Sequence, residues 1–253
     1  MRPLPLFHKQ VLMIEAALLL PCRRLAGAVW RGLPMSRLKL ELRFAAGMVQ
    51  CFAKLKAAMN AKQLKAQYRS ERLALRDAIA PQERAEKGRA MLAHAGEALV
   101  FAPGAIVSGF LPIRSEADIR PLMARLGERG ARLCVPVILD RQTIVFRELV
   151  EGAPLVSSGF GTVGPGEEAA ELDPDIMLVP LSAFDRTGHR IGYGAGYYDR
   201  AIERLWQKGM DPQLIGIAFD CQEVPSVPAE PHDVRLDAVL TESGLQVFSP
   251  EIE

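Results

Sequence analysis

Continuous apolar runs alternate along this chain with segments in which apolar residues recur every three or four positions. The runs predict buried strands, and the periodic segments predict helices with one face against a core. The predicted strands are 105–110, 133–138, 143–149, 176–179, 214–219, 236–240 and 245–248, and the predicted helices include 62–79, 81–95, 115–126 and 201–208. This alternation predicts an α/β fold with a largely parallel sheet and helices on both faces.

The first predicted helix has two neighbouring stripes. Its apolar stripe, expected to face the core, comprises Leu64, Tyr68, Leu75 and Ile79. Its cationic stripe comprises Lys65, Arg69, Arg72 and Arg76. The cations are either a solvated face that pairs with Glu71 or Asp77, or long side chains that reach a neighbouring ligand loop.

Two further segments carry local expectations. Ser115 followed by Asp118 resembles a capping box, so Ser115 is expected to cap the third helix. The segment 151–174 is long, glycine-rich and acidic, and it is expected to be a functional loop.

A glycine-rich stretch follows the strand at 176–179. Between Asp185 and Asp199 it carries Gly192, Gly194 and Gly196, and a predicted helix begins directly behind it. Such a loop can present bare backbone N–H groups, together with a helix N-terminus, to a phosphate. The spacing matches neither the Gly-Lys-Ser/Thr loop nor the dinucleotide fingerprint, so an ordinary strand-to-helix turn is the alternative.

Two blocks of residues extend this stretch into a signature. The first contains Pro180, Phe184-Asp185, Gly188, Arg190 and the run Gly-Tyr-Gly-Ala-Gly-Tyr-Tyr-Asp-Arg at 192–200. The second runs from 215 to 242 and includes Glu230, His232 and Asp233. Together they resemble the 5-formyltetrahydrofolate cyclo-ligase family, over residues 62–248. The resemblance implies a single three-layer α/β/α domain that converts 5-formyltetrahydrofolate to 5,10-methenyltetrahydrofolate, using ATP and Mg²⁺ and releasing ADP and phosphate.

The same resemblance implies roles for particular residues. Those implied to bind ATP are Lys65, Arg69, Arg190, Ile191, Gly192, Tyr193, Gly194, Ala195, Gly196, Tyr197 and Tyr198. Those implied to contact the folate are Leu111, Glu116, Tyr193, Gly194, Ala195, Gly196 and Tyr197. Asp199 and Asp233 match the Mg²⁺ positions, and Arg190 and Tyr197 are the implied catalytic residues. Taken alone, Glu116 would be interpreted as a first-turn helix residue favoured by the helix dipole, and Asp199 could equally be one.

The chain departs from the family pattern at three places. Tyr193 and Ala195 stand where some members carry Arg or Lys, so Lys65, Arg69 and Arg190 must neutralise more of the triphosphate unless Arg72 or Arg200 assists. Gly164-Pro165 replaces a common Glu-Pro pair, so a role of that glutamate cannot be transferred.

The first 58 residues differ from the rest in charge. Residues 1–60 carry ten Lys and Arg against two Asp and Glu, a formal charge of +8, whereas the whole chain has a net charge of +1. We expect 1–58 to be an over-long start ahead of a 59–253 domain; a targeting segment, an export signal and an RNA-binding arm are the alternatives.

Cysteine spacing and hydropathy indicate the cellular location that is expected for this chain. The four cysteines form neither a Cys-x-x-Cys pair nor a zinc spacing, so reduced thiols are expected in a cytoplasmic protein, or in an organelle matrix if 1–58 is a transit peptide. The longest apolar run, Val11–Leu20, is interrupted by Glu15 and is too short to cross a bilayer.

Three functions are compatible with these features. The first is the cyclo-ligase reaction by a monomer that binds no nucleic acid through its body. A catalytically silent homologue that binds a nucleotide or pterin is the second, and an RNA-associated protein that uses the basic head is the third.

Overall fold

The computed structural model describes residues 60–95, 98–159 and 161–249, which belong to a compact unit spanning 58–253. A seven-stranded sheet forms its centre, in the order β11-β10-β9-β6-β1-β2-β3. The strands of this sheet are β1 (Ile106–Ser108), β2 (Arg132–Ile138), β3 (Ile144–Glu148), β6 (Ile176–Pro180), β9 (Gln213–Ile217), β10 (Ala238–Thr241) and β11 (Gly244–Val247). The five inner strands pair in parallel, and β3 and β11 are antiparallel edge strands.

Helices cover both faces of the sheet. They are α1 (residues 60–78), α2 (Pro81–Ala95), α3 (Arg120–Glu128) and α4 (Tyr197–Gln207), with a 3₁₀ turn at Asp220–Gln222. Side chains alternate along β6: Ile176 and Leu178 pack with α2 and α3, whereas Met177 and Val179 pack with α4. This alternation divides the core into two layers, because successive strand side chains point to opposite faces. The three-layer α/β/α fold with a largely parallel sheet, in a single domain, is thus confirmed.

The strand order indicates where a ligand crevice lies. The chain passes outward from β1 to β2 and β3, and then returns to place β6 on the other side of β1. In open parallel sheets, ligands bind at the carboxyl ends of the strands where the order reverses in this way. Helix α1 lies across this edge: its side chains contact the segments that follow β1, β6 and β9, through Ser115, Gly192 and Cys221 respectively.

Three local expectations need correction. On α1, Leu64 and Leu75 are exposed, whereas Tyr68 and Ile79 pack against the core and Arg76 is buried, so both stripes contribute to the face toward the body. Helix α3 begins at Arg120 and its N-cap residue, Ile119, provides no side-chain cap, while the Ser115 hydroxyl is engaged with Arg76 and Asp77. The segment 151–174 contains a hairpin, formed by β4 (Leu155–Gly159) and β5 (Thr162–Pro165).

Two of the four cysteines lie within the described residues. Cys134 and Cys221 are free, and burial raises the pKa of Cys134 to about 12. Cys22 and Cys51 lie outside the described residues. Among the helices that the structure describes, none has the length and apolar character to cross a membrane.

Candidate active site

A cleft of about 760 Å³ opens at the carboxyl edge of the sheet. Four segments contribute to its wall: α1, the loop that ends at Gly196, α4, and the segment 231–235. The lining residues are Lys65, Arg69, Arg190, Ile191, Gly192, Gly194, Ala195, Gly196, Asp199, Arg200, Glu203, Trp206, Pro231, His232, Asp233, Val234 and Arg235. The cleft therefore collects cations, carboxylates and bare backbone in one place.

The glycine-rich loop forms the floor of the cleft. It leaves a small hairpin of β7 (Ala183–Phe184) and β8 (Arg190–Ile191), and it enters α4 through Gly196. Gly194 has a φ of +101° and Gly196 a φ of +65°. A side chain at either position would be strained, and at Gly196 a Cβ would also lie 2.9 Å from Arg200 Nη1. Glycine is thus required for the backbone to turn past these side chains into the helix.

Lys65 and Arg69 reach the cleft from α1. Arg69 Nε donates to the Gly192 carbonyl at 2.8 Å, and burial lowers the pKa of Arg69. Lys65 Nζ lies 2.6 Å from Glu230 Oε2 and also contacts Asp233. Burial opposes the charged form of Lys65, but the hydrogen bonds and charges of Asp233 and Glu230 outweigh it and raise the Lys65 pKa. Both side chains are therefore cations with partners across the cleft, and not a solvated face.

An ion pair between a buried guanidinium and a partly exposed carboxylate joins the start of α4 to the opposite wall. Arg190 Nη2 lies 2.6 Å from Asp199 Oδ1, and Arg190 Nη1 donates to the Val234 carbonyl. The Arg190 side chain is only 4% exposed and that of Asp199 is 31% exposed. Asp199 also accepts from Val234 N at 3.4 Å. Arg190 thereby fixes both the carboxylate and the segment 231–235.

Groups that could bind a divalent cation lie along this wall. Glu230, His232 and Asp233 each offer one ligand atom, and these atoms lie within 4.8 Å of one another. Asp199 lines the same cleft. Carboxylate oxygens are the ligands that Mg²⁺ prefers, so the carboxylates of this set, but not the imidazole, fit this metal. The Lys65 ammonium bonds two of the carboxylates and holds them together.

Tyr193 lies on the other side of the glycine loop. Every residue from Arg190 to Gly196 except Tyr193 lines the cleft. The Tyr193 hydroxyl is instead bonded to Arg76 and Glu116. Glu116 Oε2 also accepts from Ile113 N at 2.9 Å, and burial raises the Glu116 pKa against the lowering effects of these partners. The loop thus has a cleft lined by cations and bare backbone on one face and a buried carboxylate on the other.

A turn between β2 and β3 supports the end of the loop. Tyr197 donates its hydroxyl to the Asp140 carbonyl at 3.1 Å. Arg200 donates to the Gln142 and Ala195 carbonyls, each at 2.8 Å, and its guanidinium lies 5.5 Å from the Tyr197 ring centre. Arg200 therefore adds a cation to the cleft beside Ala195.

Other predicted residues lie outside the cleft lining. Leu111 packs partly buried against the core, and Glu116 follows it in the loop after β1. The Tyr198 hydroxyl is buried and has no hydrogen-bond partner among the described residues. Arg72 donates to the Cys221 carbonyl and does not line the cleft.

Sequence reasoning missed two contributors. Glu230 stands in the second signature block, and Arg76 belongs to the cationic stripe, so each had a visible signal. The sequence indicates Arg200 as a possible assistant, but only the folded loop shows its contact with Ala195.

The fold and the cleft together define an α/β protein of the doubly wound class, with a polar ligand cleft built on a glycine-rich loop. A family model described as the 5-formyltetrahydrofolate cyclo-ligase family matches residues 61–242. The chain therefore belongs to that enzyme family.

Curated relatives agree with this assignment, and a solved structure agrees with the fold. The 5-formyltetrahydrofolate cyclo-ligase of Escherichia coli K12 is 31% identical over 177 residues, which cover 66% of this chain and 94% of the relative. The enzyme of the same name from Mycolicibacterium smegmatis is 35% identical over 146 residues, covering 54% of this chain and 74% of the relative. The NMR structure of Aquifex aeolicus 5,10-methenyltetrahydrofolate synthetase matches with a TM-score of 0.64 at 24% identity, and the match covers 75% of this chain and 95% of that chain.

Proposed function

We propose that this chain catalyses the ATP- and Mg²⁺-dependent cyclisation of 5-formyltetrahydrofolate to 5,10-methenyltetrahydrofolate, with release of ADP and phosphate. The observation that carries the proposal is the convergence of Lys65, Arg69 and the glycine loop with carboxylates in one cleft. Phosphoryl transfer is achieved mainly by positioning the reactants and neutralising charge, and these groups supply both.

The cleft face of the loop is proposed to hold the triphosphate. Backbone N–H groups of a glycine loop and a helix N-terminus bind phosphate oxygens without side chains. Lys65 and Arg69 add charge from α1, and Arg200 adds a guanidinium from α4. These three cations compensate for the absence of Arg or Lys from the two loop positions that Tyr193 and Ala195 occupy.

The other face is proposed to hold the folate near Leu111, Glu116 and Tyr193. The formyl oxygen would then approach the γ-phosphate across the loop, and N10 would close on the activated carbon as phosphate leaves. Arg190 and Tyr197 orient this loop, since one anchors Asp199 and the other the turn at Asp140. Both substrates would thus meet at a backbone segment that is held from each side.

Asp199, Asp233 and Glu230 are the residues that would hold Mg²⁺. When bound, the metal supplies positive charge to the phosphate oxygens. Lys65 keeps two of these carboxylates in place, and Arg190 keeps the third.

The test is the absorbance change on formation of methenyltetrahydrofolate by the purified protein. We expect product only when 5-formyltetrahydrofolate, ATP and Mg²⁺ are all present, with one ADP and one phosphate released per product. Binding of either substrate without turnover would instead identify a silent homologue. Hydrolysis of ATP at the same rate without folate would contradict coupling of the two reactions.

A further inference from the structure

The ring of Tyr193 is exposed although its hydroxyl is fixed. The residue is 40% exposed, while its oxygen accepts from Arg76 Nη1 and bonds to the Glu116 carboxylate. The Arg76 guanidinium also lies 5.7 Å from the ring centre. An aromatic ring that is held at its far end loses little freedom when another ring stacks on it. Tyr193 therefore has the features of a preorganised stacking surface.

Arg76 is the residue that fixes this ring. It is only 2% exposed, and its Nε donates to Ser115 Oγ at 2.9 Å. The Ser115 hydroxyl in turn donates to Asp77. Burial of a guanidinium costs free energy unless its N–H donors have hydrogen-bond partners. The partners of Arg76 tie α1 to the loop after β1 and to the glycine loop. Because Arg76 is almost fully buried, its action on a ligand would pass through Tyr193.

We propose that Arg76 is a positioning residue that holds the Tyr193 ring as the surface on which the planar ring system of the folate stacks. The inference rests on the proposed function for the identity of this ligand. Glu116 lies beside the ring and uses its oxygens for Tyr193 and Ile113. A carboxylate has about four acceptor positions, so Glu116 keeps capacity for N–H groups of the same ligand. Stacking and hydrogen bonding would then act on one bicyclic heterocycle.

The test combines four variants with one matched control. Binding of 5-formyltetrahydrofolate without ATP is measured by calorimetry, and KM is measured for each substrate. We expect Arg76→Met to weaken folate binding about tenfold and Tyr193→Leu at least as much, since one stacked ring contributes on this scale. Tyr193→Phe keeps the ring and loses only the hydroxyl, and the double variant Arg76→Met/Tyr193→Phe should bind no more weakly than Tyr193→Phe alone.

The control is Arg72→Met, which removes an arginine one turn earlier on the same helix. We expect it to leave folate binding and the KM for ATP unchanged, because Arg72 donates to Cys221 and not to the loop. In all variants the KM for ATP should stay within about twofold of the unaltered value, since none of these residues lines the cleft.

Three outcomes would overturn the inference. These are additive losses in the double variant, an equal rise of both KM values, or normal folate binding by Tyr193→Leu. The Tyr193 substitutions lie at an exposed ring, so they test the idea even if Arg76→Met fails to fold. An unaltered protein that forms no methenyl product would defeat the proposed function itself. If the unaltered protein forms the methenyl product and the variants bind folate as tightly as it does, only this inference is overturned.

Discussion

The Arg190–Asp199 pair provides the sharpest test of how the site is built. Asp199→Asn keeps the size of the side chain but removes the charge that faces a guanidinium whose side chain is 4% exposed. Loss of one partner of a buried pair costs about 3–5 kcal/mol. Asn can still accept a hydrogen bond and Arg190 keeps the Val234 carbonyl, so we expect a loss of about 2 kcal/mol. For a domain of this size that loss lowers the Tm by about 4–8 °C.

Denaturant unfolding and turnover are measured on Asp199→Asn, Arg190→Met and the double variant. We expect the double variant to lose at least about 1 kcal/mol less than the two single losses together, because each single variant leaves an unpaired charge. The control is Asp173→Asn, whose exposed pair with Lys208 should contribute less than about 1 kcal/mol.

Turnover separates the metal role from the structural role. We expect Asp199→Asn to lose turnover, with no recovery at saturating Mg²⁺, because the substitution removes the negative charge that the metal requires. Near-normal turnover at high Mg²⁺ would remove Asp199 from the metal site. Unchanged unfolding would refute the argument that the pair holds the segment 231–235.

Three further predictions address other parts of the molecule. Lys65→Met should raise the KM for ATP about tenfold and the KM for folate little, because a charge-assisted contact to phosphate is lost; equal rises in steady-state assays would indicate damage to α1. Glu116 has a pKa raised by burial, so its charged form opposes folding and its contribution to stability falls as pH rises from the unfolded pKa through the folded one. The Tm of Glu116→Gln relative to the unaltered protein should therefore increase between pH 4 and pH 7.5, and a constant difference would contradict the shift. A chain that begins at Met59 should melt and turn over like the full chain, whereas a clear drop in either property would show that residues 1–58 contribute to the structure.

Several features of the fold were predictable because they depend on local pattern. The runs at 176–179 and 214–219 contain most of β6 and most of β9, and helix α2 ends at Ala95 as predicted. The error at 151–174 has a physical cause: the hairpin of β4 and β5 is short and half polar, so it lacks the apolar run that marks a buried strand. Ser115 was assigned to a cap because its alternative partner, Arg76, is 39 residues away in the chain.

The sequence by itself determined the alternation of strands and helices, the glycine-rich loop and the family to which the chain belongs, since each is written in neighbouring residues. Only the tertiary structure decided that the cationic stripe of α1 faces the body, because Lys65 and Arg69 are separated from Asp233 and Gly192 by 168 and 123 residues. It also decided that Arg190 serves Asp199 and that Tyr193 turns away from the cleft toward Arg76. Such pairings depend on where the sheet brings distant loops together, and no local pattern encodes that distance.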